Sequence, residues 1–389
     1  MLETCGCERN TGKMDRLIFV SNFFNHHQKP FSDAMYARLG GNYLFIETGV
    51  MTQERKNMGW GLSELPSYVV PRDMLQANLQ RYAQLIEEAD AVIIGSAPNA
   101  LVQKRIKANK LVFRYSERPL KKGLELWKYP YRLLKWHRMN PRGKRIYMLC
   151  ASAYTASDYA KFGLFRNRCF KWGYFPKTEH YSDISALIDH KQENTLVWVA
   201  RYIDWKHPEI AVEIGRRLKT DGYRFVLNMI GNGEMLDQIK DRVHQEGLDD
   251  VIKIRGAMTP EEVRGYMEQA RIHIFTSDRQ EGWGAVLNES MNSACVPVAN
   301  REIGSAPFLI EDGENGYTYR TVDELYQKVR YLLDHPEERN RMAQNAYRTI
   351  TEEWNAEVAA ERLSNLCEAM KKGKMEWYTS EQGVCSQYR

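Results

Sequence analysis

Short apolar runs alternate with amphipathic stretches along this chain, and the alternation occurs twice. In the first half, residues 17–21, 43–46, 91–95, 111–115 and 146–150 are apolar runs of strand length. Runs this short, without a polar face, predict strands buried on both sides. Helical spacing of apolar positions over 32–39 and 74–88 separates several of them. A polar stretch without strong period, 176–194, reads as a linker. The pattern then restarts with strands predicted at 196–200, 225–230, 252–254, 272–275 and 296–299. Helices are predicted at 208–218, 235–246, 259–269 and 285–292, and the last part, 336–370, is helical by its Leu, Met and Ala spacing. Strands that alternate with helices form doubly wound parallel sheets. The chain is therefore expected to be α/β, with two Rossmann-like domains facing across a cleft. Their expected bounds are 1–175 and 195–352, with residues 353–389 as helices returning to the first domain.

The length of 389 residues supports this division, because single cores tend to split beyond ~250–300 residues. No apolar run approaches the ~18 residues of a membrane span. Residues 1–13 carry Glu3, Glu8, Cys5 and Cys7 and no apolar core, so no secretory signal is expected and the expected location is the cytoplasm. Seven scattered cysteines fit reduced thiols. Cys5-Gly-Cys7 has no second pair at metal-site spacing.

The net charge of +5 hides an asymmetry. Residues 1–175 hold 28 Lys and Arg against 14 Asp and Glu, a net +14, whereas the remainder is at −9. The excess is densest over 104–145, where Lys121, Lys122, Lys128, Arg132, Lys135, Arg138 and Arg142 are interleaved with Trp127, Tyr129, Tyr131 and Trp136. Basic residues mixed with aromatics suit an anionic membrane surface or a lipid-pyrophosphate, with nucleic acid a weaker match; a solvated helix face gives the same pattern. A peripheral position on the inner face of the cell membrane is the corresponding expectation.

The stretch from Glu281 to Asn300 is the densest in chemistry. Glu281 is predicted to leave a strand. Gly282 and Gly284 allow backbone N–H groups to approach an anion, and a helix over 285–292 would aim its positive N-terminus at a diphosphate. Glu289, one turn into that helix, suits the hydroxyls of a ribose. These two acids and the residues after them resemble the E-x7-E signature of retaining GT-B glycosyltransferases, in particular the large family 4, glycosyl transferases group 1.

Three further segments carry the resemblance. Val199 to Glu209 is similar to the family's G-R-x4-K-G strand end, with Arg201 and Lys206 matching while Ala200 and His207 replace glycines. Ile230-Gly231-Asn232-Gly233-Glu234 resembles its G-x-G-x-E segment. Gly304 to Gly316 resembles its G-G-x-P-E-x-I-x-D-G-x-N-G run, with Ser305 and Phe308 departing from it. The resemblance covers most of residues 195–360 and is weak and architectural over the first 175.

By that resemblance, Glu281 lies near the donor sugar, and Glu289 holds the ribose. The backbone of Gly282, Trp283, Gly284, Ala285 and Val286 binds phosphate and sugar, and Arg255 and Ala257 lie by the base. Arg201 and Lys206 face the leaving diphosphate, where fixed cations favour the growing negative charge. The donor is then a nucleotide-diphosphate sugar and the acceptor a saccharide or lipid-linked saccharide. No Asp-x-Asp pair occurs in the chain, so neither a metal nor another cofactor is expected. Retention implies either same-face attack, with the departing diphosphate as base, or a covalent glycosyl-enzyme.

On the acceptor side, the loop after the first strand carries His26 and His27 where the family often has glycines, and either histidine suits contact with phosphate or an acceptor hydroxyl. Glu117 and Arg118 follow a later strand and are the other acceptor-side candidates. A nicotinamide oxidoreductase is disfavoured, since no G-x-G-x-x-G follows Val20 or Ala200. The competing reading is a non-catalytic GT-B-like module whose basic half holds membrane or nucleic acid.

Overall fold

The computed structural model describes residues 14–53, 61–62, 64–375, 378 and 382–388. Cys5 and Cys7 lie outside the described residues. The first half runs β1 (Leu17–Ser21), α1 (Lys29–Leu39), β2 (Tyr43–Glu47), β3 (Val69–Val70), α2 (Arg72–Ala77), α3 (Leu79–Glu88) and β4 (Ala91–Ile94). It continues through α4 (Ala100–Lys107), β5 (Leu111–Ser116), α5 (Tyr129–Met139), β6 (Ile146–Cys150), α6 (Thr155–Ala160) and β7 (Cys169–Lys171). The second half starts at α7 (Ile184–His190) and continues with β8 (Thr195–Val199), α8 (Pro208–Thr220), β9 (Val226–Ile230), α9 (Leu236–Gln245), β10 (Ile252–Gly256) and α10 (Pro260–Gln269). Then come β11 (Ile272–Phe275), α11 (Val286–Asn292), β12 (Val296–Asn300), α12 (Ala306–Leu309), β13 (Tyr317–Tyr319), α13 (Val322–Asp334), α14 (Pro336–Arg348), α15 (Ala356–Lys372) and β14 (Gln387–Tyr388).

Two sheets result. The first has the order β14-β7-β6-β5-β4-β1-β2-β3, parallel except for β14, and the second the all-parallel order β10-β9-β8-β11-β12-β13. The ten predicted strands are present. The remaining four, β3, β7, β13 and β14, have only two or three residues each, too few for a period to show. The helix predicted over 74–88 breaks at Asn78, whose φ of −131° and ψ of 38° are not helical.

The predicted linker 176–194 is not all linker. Residues Ile184–His190 form α7, capped by Asp183, whose carboxylate accepts the Ala186 N–H at 2.9 Å, and Ile188 is buried in the core of the second half. Lys191 is buried as well and donates to the carbonyls of Met267, Glu268, Ala270 and Ser293. A core position occupied by a lysine stem gives no apolar signal, which is why the stretch reads as polar.

At the other end, the expected helix over 336–370 divides at a π-helical turn, Thr349–Glu353, after which Asn355 caps α15 by accepting the Val358 N–H at 2.8 Å. Helix α15 packs on α1, so the chain crosses back to the first half. The crossing point is filled by Trp354, whose ring lies 5.9 Å from Trp283. Trp283 in turn rests on Gly173, where a β-carbon would come within 2.4 Å of the indole.

This contact yields a paired prediction. Gly173→Ala should lower stability by ~1–3 kcal/mol through overpacking against Trp283. Gly265→Ala, inside α10 with nothing within 4 Å of its new methyl, should raise stability by up to ~1 kcal/mol. Urea unfolding of the two variants checks this, and equal shifts would contradict the packing at Gly173.

Candidate active site

In an open parallel sheet, ligands bind beyond the carboxyl ends of the strands, where the strand order reverses direction. In the second sheet that point lies between β8 and β11, neighbours in space although distant in sequence. The loop after β8 carries Arg201 and Lys206; the loop after β11 carries Glu281. Topology therefore brings together three residues predicted from separate motifs. Lys206 and Glu281 form an ion pair with side chains only 11% and 12% exposed. The Lys206 ammonium also lies 4.4 Å from the Trp205 ring centre and 5.8 Å from that of Phe275. Arg201 is exposed, its guanidinium 5.8 Å from the centre of Trp205, and among the described residues no carboxylate pairs with it.

Gly231 and Gly233 shape this loop without facing a ligand through side chains. A β-carbon at either would collide with backbone, at 1.8 Å from the Ala200 oxygen and 2.3 Å from the Tyr202 oxygen respectively. They let the strand end after β9 pack under the one that carries Arg201. His207, which stands where the resemblance has a glycine, adopts a left-handed backbone with φ of 50°. Its ring contacts Glu209 at 2.9 Å and Asp278 at 3.7 Å, and the Glu209 hydrogen bond raises its pKa.

The turn from Glu281 to α11 has an unusual property. Among the described residues, the N–H groups of Gly282, Trp283, Gly284, Ala285 and Val286 donate to no protein acceptor. The last two are the open amides of a helix start, and with the three before them they form a run suited to an anion. Gly284 has φ of 87° and packs on Phe275, where a β-carbon would lie 2.8 Å from the ring. Trp283 adds a side chain that anchors this turn. It is fully buried, packed between Gly173 and Trp354, and its indole N–H donates to Asn288 at 2.9 Å, so only its backbone is available to a ligand.

Helix α11 is short, seven residues from Val286, and places Glu289 on its first full turn. Burial pushes the Glu289 carboxyl up to about 7, against the opposing pull of Arg264. Arg264, which no motif singles out, is fixed by Asn292, Ser293 and the Lys177 carbonyl. Arg255 and Ala257 are exposed at the end of β10; the Arg255 guanidinium donates to Asn228 at 2.9 Å and lies 5.4 Å from the Tyr266 ring.

The first half meets this turn directly. Glu117, just past β5, rests against Gly282, where a β-carbon would lie 1.8 Å from its carboxylate oxygen. Tyr174 donates to Glu117 at 2.5 Å, and Lys121 pairs with it at 2.5 Å. The ring of His27 stacks on Tyr174 with centroids 5.8 Å apart and lies 3.8 Å from that of His26. Burial, reinforced by His26, pushes the His27 imidazole down to about 3, so it is neutral at ordinary pH and can donate one hydrogen bond but supplies no charge. His26, His27 and Glu117 thus belong to one cluster at the turn. Tyr174 joins them unforeseen, since in sequence it only precedes the linker.

Arg118 does not join them. It is buried, pairs with the buried Asp158 at 3.4 Å and stacks 4.5 Å over Tyr154. Asp158 also accepts the Leu120 N–H, so Arg118 holds the loop that carries Glu117 and cannot reach an acceptor. Two other arginines of the basic stretch are likewise internal: Arg105 donates to the carbonyls of Leu111, Ile86 and Glu87 among others, and Arg114 to Asn140, Asn99 and the Met139 carbonyl.

Comparison with known proteins places this geometry. Residues 183–349 match the family model Glycosyl transferases group 1. The chain is 32% identical over 124 residues to the amylovoran biosynthesis glycosyltransferase AmsK of Erwinia amylovora, covering 31% of this chain and 30% of that one. It is 27% identical over 174 residues to the alpha-D-kanosaminyltransferase of Streptomyces kanamyceticus, covering 44% of each. The matches span from about a third to under half the length of these relatives. Anabaena Alr3699/HepE, solved in complex with UDP, superimposes with a TM-score of 0.67 over 91% of this chain and all of that one at 12% identity, which shows the fold. Residues 183–349 thus match a glycosyl transferases group 1 domain, and they form the second half of a GT-B fold.

Proposed function

We propose that the protein is a retaining glycosyltransferase that moves a sugar from a nucleotide-diphosphate sugar to a saccharide or lipid-linked saccharide, in the synthesis of a cell-surface polysaccharide or glycoconjugate. The observation that carries this reading is the run of five open amides, 282–286, directly after Glu281, whose carboxylate is paired with Lys206 on the loop that also carries Arg201. Amides without acceptors beside an uncommitted guanidinium suit a diphosphate. The relatives act in the same sense: one takes part in amylovoran biosynthesis, and a structural neighbour binds UDP. The ion pair of Lys206 with Glu281 favours turnover over a purely binding role, because it sets a carboxylate beside the cation that would meet the leaving group.

Chemistry follows from that placement. As the bond between the sugar C1 and the diphosphate oxygen breaks, Arg201, Lys206 and the amides take up the charge that develops, and no metal is needed. Since Glu281 touches Lys206, carboxylate and leaving group share one face of the sugar. Glu281 then accepts a hydrogen bond from a sugar hydroxyl instead of attacking C1. The acceptor hydroxyl attacks C1 from the leaving-group side and passes its proton to the departing phosphate oxygen. Glu117 and the neutral His27 border the space on the acceptor side. The protein would work in the cytoplasm, and an anionic membrane beside residues 104–145 would supply a lipid-linked acceptor; among the described residues no helix is long and apolar enough to cross a membrane.

Thermal melting against UDP, GDP and ADP tests the donor site. One nucleotide at ~100 times its dissociation constant should add about 2.7 kcal/mol of stability. Arg201→Ala should abolish most of that gain, while Glu281→Gln should retain it and lower kcat by ~100-fold or more. No shift with any nucleotide would defeat the reading.

Glu289 gives the pH dependence. Its carboxyl in the free protein titrates at about 7, and the ionised form accepts ribose hydroxyls more strongly than the neutral acid. Raising the pH from 6 to 8 converts Glu289 from mostly protonated to mostly ionised, so nucleotide affinity should rise about tenfold over that interval. Glu289→Gln should bind weakly and flatten the profile. Titration calorimetry at the two pH values decides; an equal rise in the variant would exclude Glu289 as its source.

A further inference from the structure

The basic aromatic stretch divides cleanly between two faces of α5. Tyr129 and Trp136 turn inward, Tyr129 stacking on Phe162 at 4.7 Å and Trp136 packing on Tyr159 and Phe162. The outward face and the turn before it carry Leu126, Trp127, Tyr131 and Leu134, exposed by 76, 78, 65 and 75%. These include the four most exposed large apolar side chains described, gathered within nine residues and, from Trp127 onward, spaced four and three apart as one helical face requires. Isolated exposed leucines are ordinary; a contiguous patch of this kind marks a surface that is covered in use.

Charge identifies what covers it. Residues 121–145 hold nine Lys and Arg against the single acid Glu125. Glu125 is neutralised by Lys128 and Arg132, at 2.5 and 2.6 Å. Lys122, Lys135 and Arg138 are exposed around the apolar patch, and the Lys128 and Lys135 ammonium groups lie 4.6 and 5.6 Å from the Trp127 and Tyr131 ring centres. Apolar and aromatic tips within a basic ring complement an anionic lipid interface, where rings sit among headgroups and ammonium groups meet phosphate.

We propose that this face of α5 inserts Leu126, Trp127, Tyr131 and Leu134 into the surface of an anionic phospholipid bilayer, with Lys122, Lys135 and Arg138 gripping the headgroups. The face follows β5 in the chain, and Lys121 at its start pairs with Glu117 at the donor turn. Docking therefore sets the acceptor side of the cleft at the membrane. It narrows the membrane contact suggested above to named side chains, and it is measured without donor or acceptor, so it stands or falls apart from the transferase reading.

Flotation of the whole protein with vesicles is the test, using phosphatidylcholine alone and phosphatidylcholine with about 30% phosphatidylglycerol. The wild type should float only with the anionic vesicles, and less at high salt. Trp127→Ser/Tyr131→Ser/Leu134→Ser should lower binding at least about tenfold with an unchanged melting temperature, since none of the three side chains is buried. Lys122→Glu/Lys135→Glu/Arg138→Glu should abolish the anionic preference and serves as the second variant should the first melt early. Wild-type protein that ignores anionic vesicles, or a serine variant that binds as well as wild type, overturns the proposal. So does a serine variant that floats unchanged while losing self-association, which would make the face an interface between copies of this chain.

Discussion

The turn after Glu281 keeps five backbone amides in succession without a protein acceptor. The chain tolerates this because the turn is held from outside its own hydrogen bonding. Trp283 is locked between Gly173 and Trp354, Gly284 lies on Phe275, and Gly282 lies under Glu117. Gly304 donates to the Glu281 carbonyl at 3.2 Å and approaches the Gly282 oxygen so closely that a β-carbon there would lie 1.7 Å from it. With the backbone clamped at four points by packing, the amides need no partners to stay in place. Preorganisation of this kind lets a site meet developing charge without rearranging.

The clamp has a second consequence, because half of it comes from the other sheet. Gly173 and Glu117 belong to the first half, and Tyr154, Ala153 and Leu120 tie its loops to Arg301, Gly304 and Arg279 of the second. The shape of the anion site therefore depends on how the two halves meet. A separation at this seam would release Trp283 and Gly282 together, and the amide concavity with them. The proposed donor site and the seam are one object, and any motion that opens the cleft has to pass through contacts that also define that site.

Much of the second half was readable from sequence because its chemistry sits at strand ends with characteristic residues. Arg201, Lys206 and Glu281 came from separate segments, and the sheet order brings them together. Less readable were residues whose role lies in contacts across the seam. Arg118 looks like an acceptor-side cation, yet its neighbour Asp158 is forty positions away, so no local pattern reveals the internal ion pair. Trp283 is expected to contribute its backbone, and the packing of its ring is not legible locally because its partner Gly173 lies in the other half. Tyr174 and Arg264 carried no signal at all, since a lone Tyr before a polar stretch and a lone Arg on a helix are common. Lys191 hid a core position behind a polar letter.

The two acids that bracket the turn are set in opposite surroundings, and this division follows from their elements. Glu281 lies on the loop after the interior strand β11, opposite the loop after β8 that supplies Lys206, so its charge is met by a partner within reach. Glu289 is carried a further turn into α11, where only Arg264 acts on it from a distance and burial holds its carboxyl up. A paired carboxylate keeps its charge and position before a ligand arrives, whereas an underpartnered one gains most when hydroxyl donors come to it. The eight-residue spacing thus does more than point two acids at one ligand. It puts one beside Lys206 and leaves the other waiting for donors, which is the asymmetry the proposed donor, with a sugar at one end and a ribose at the other, would require.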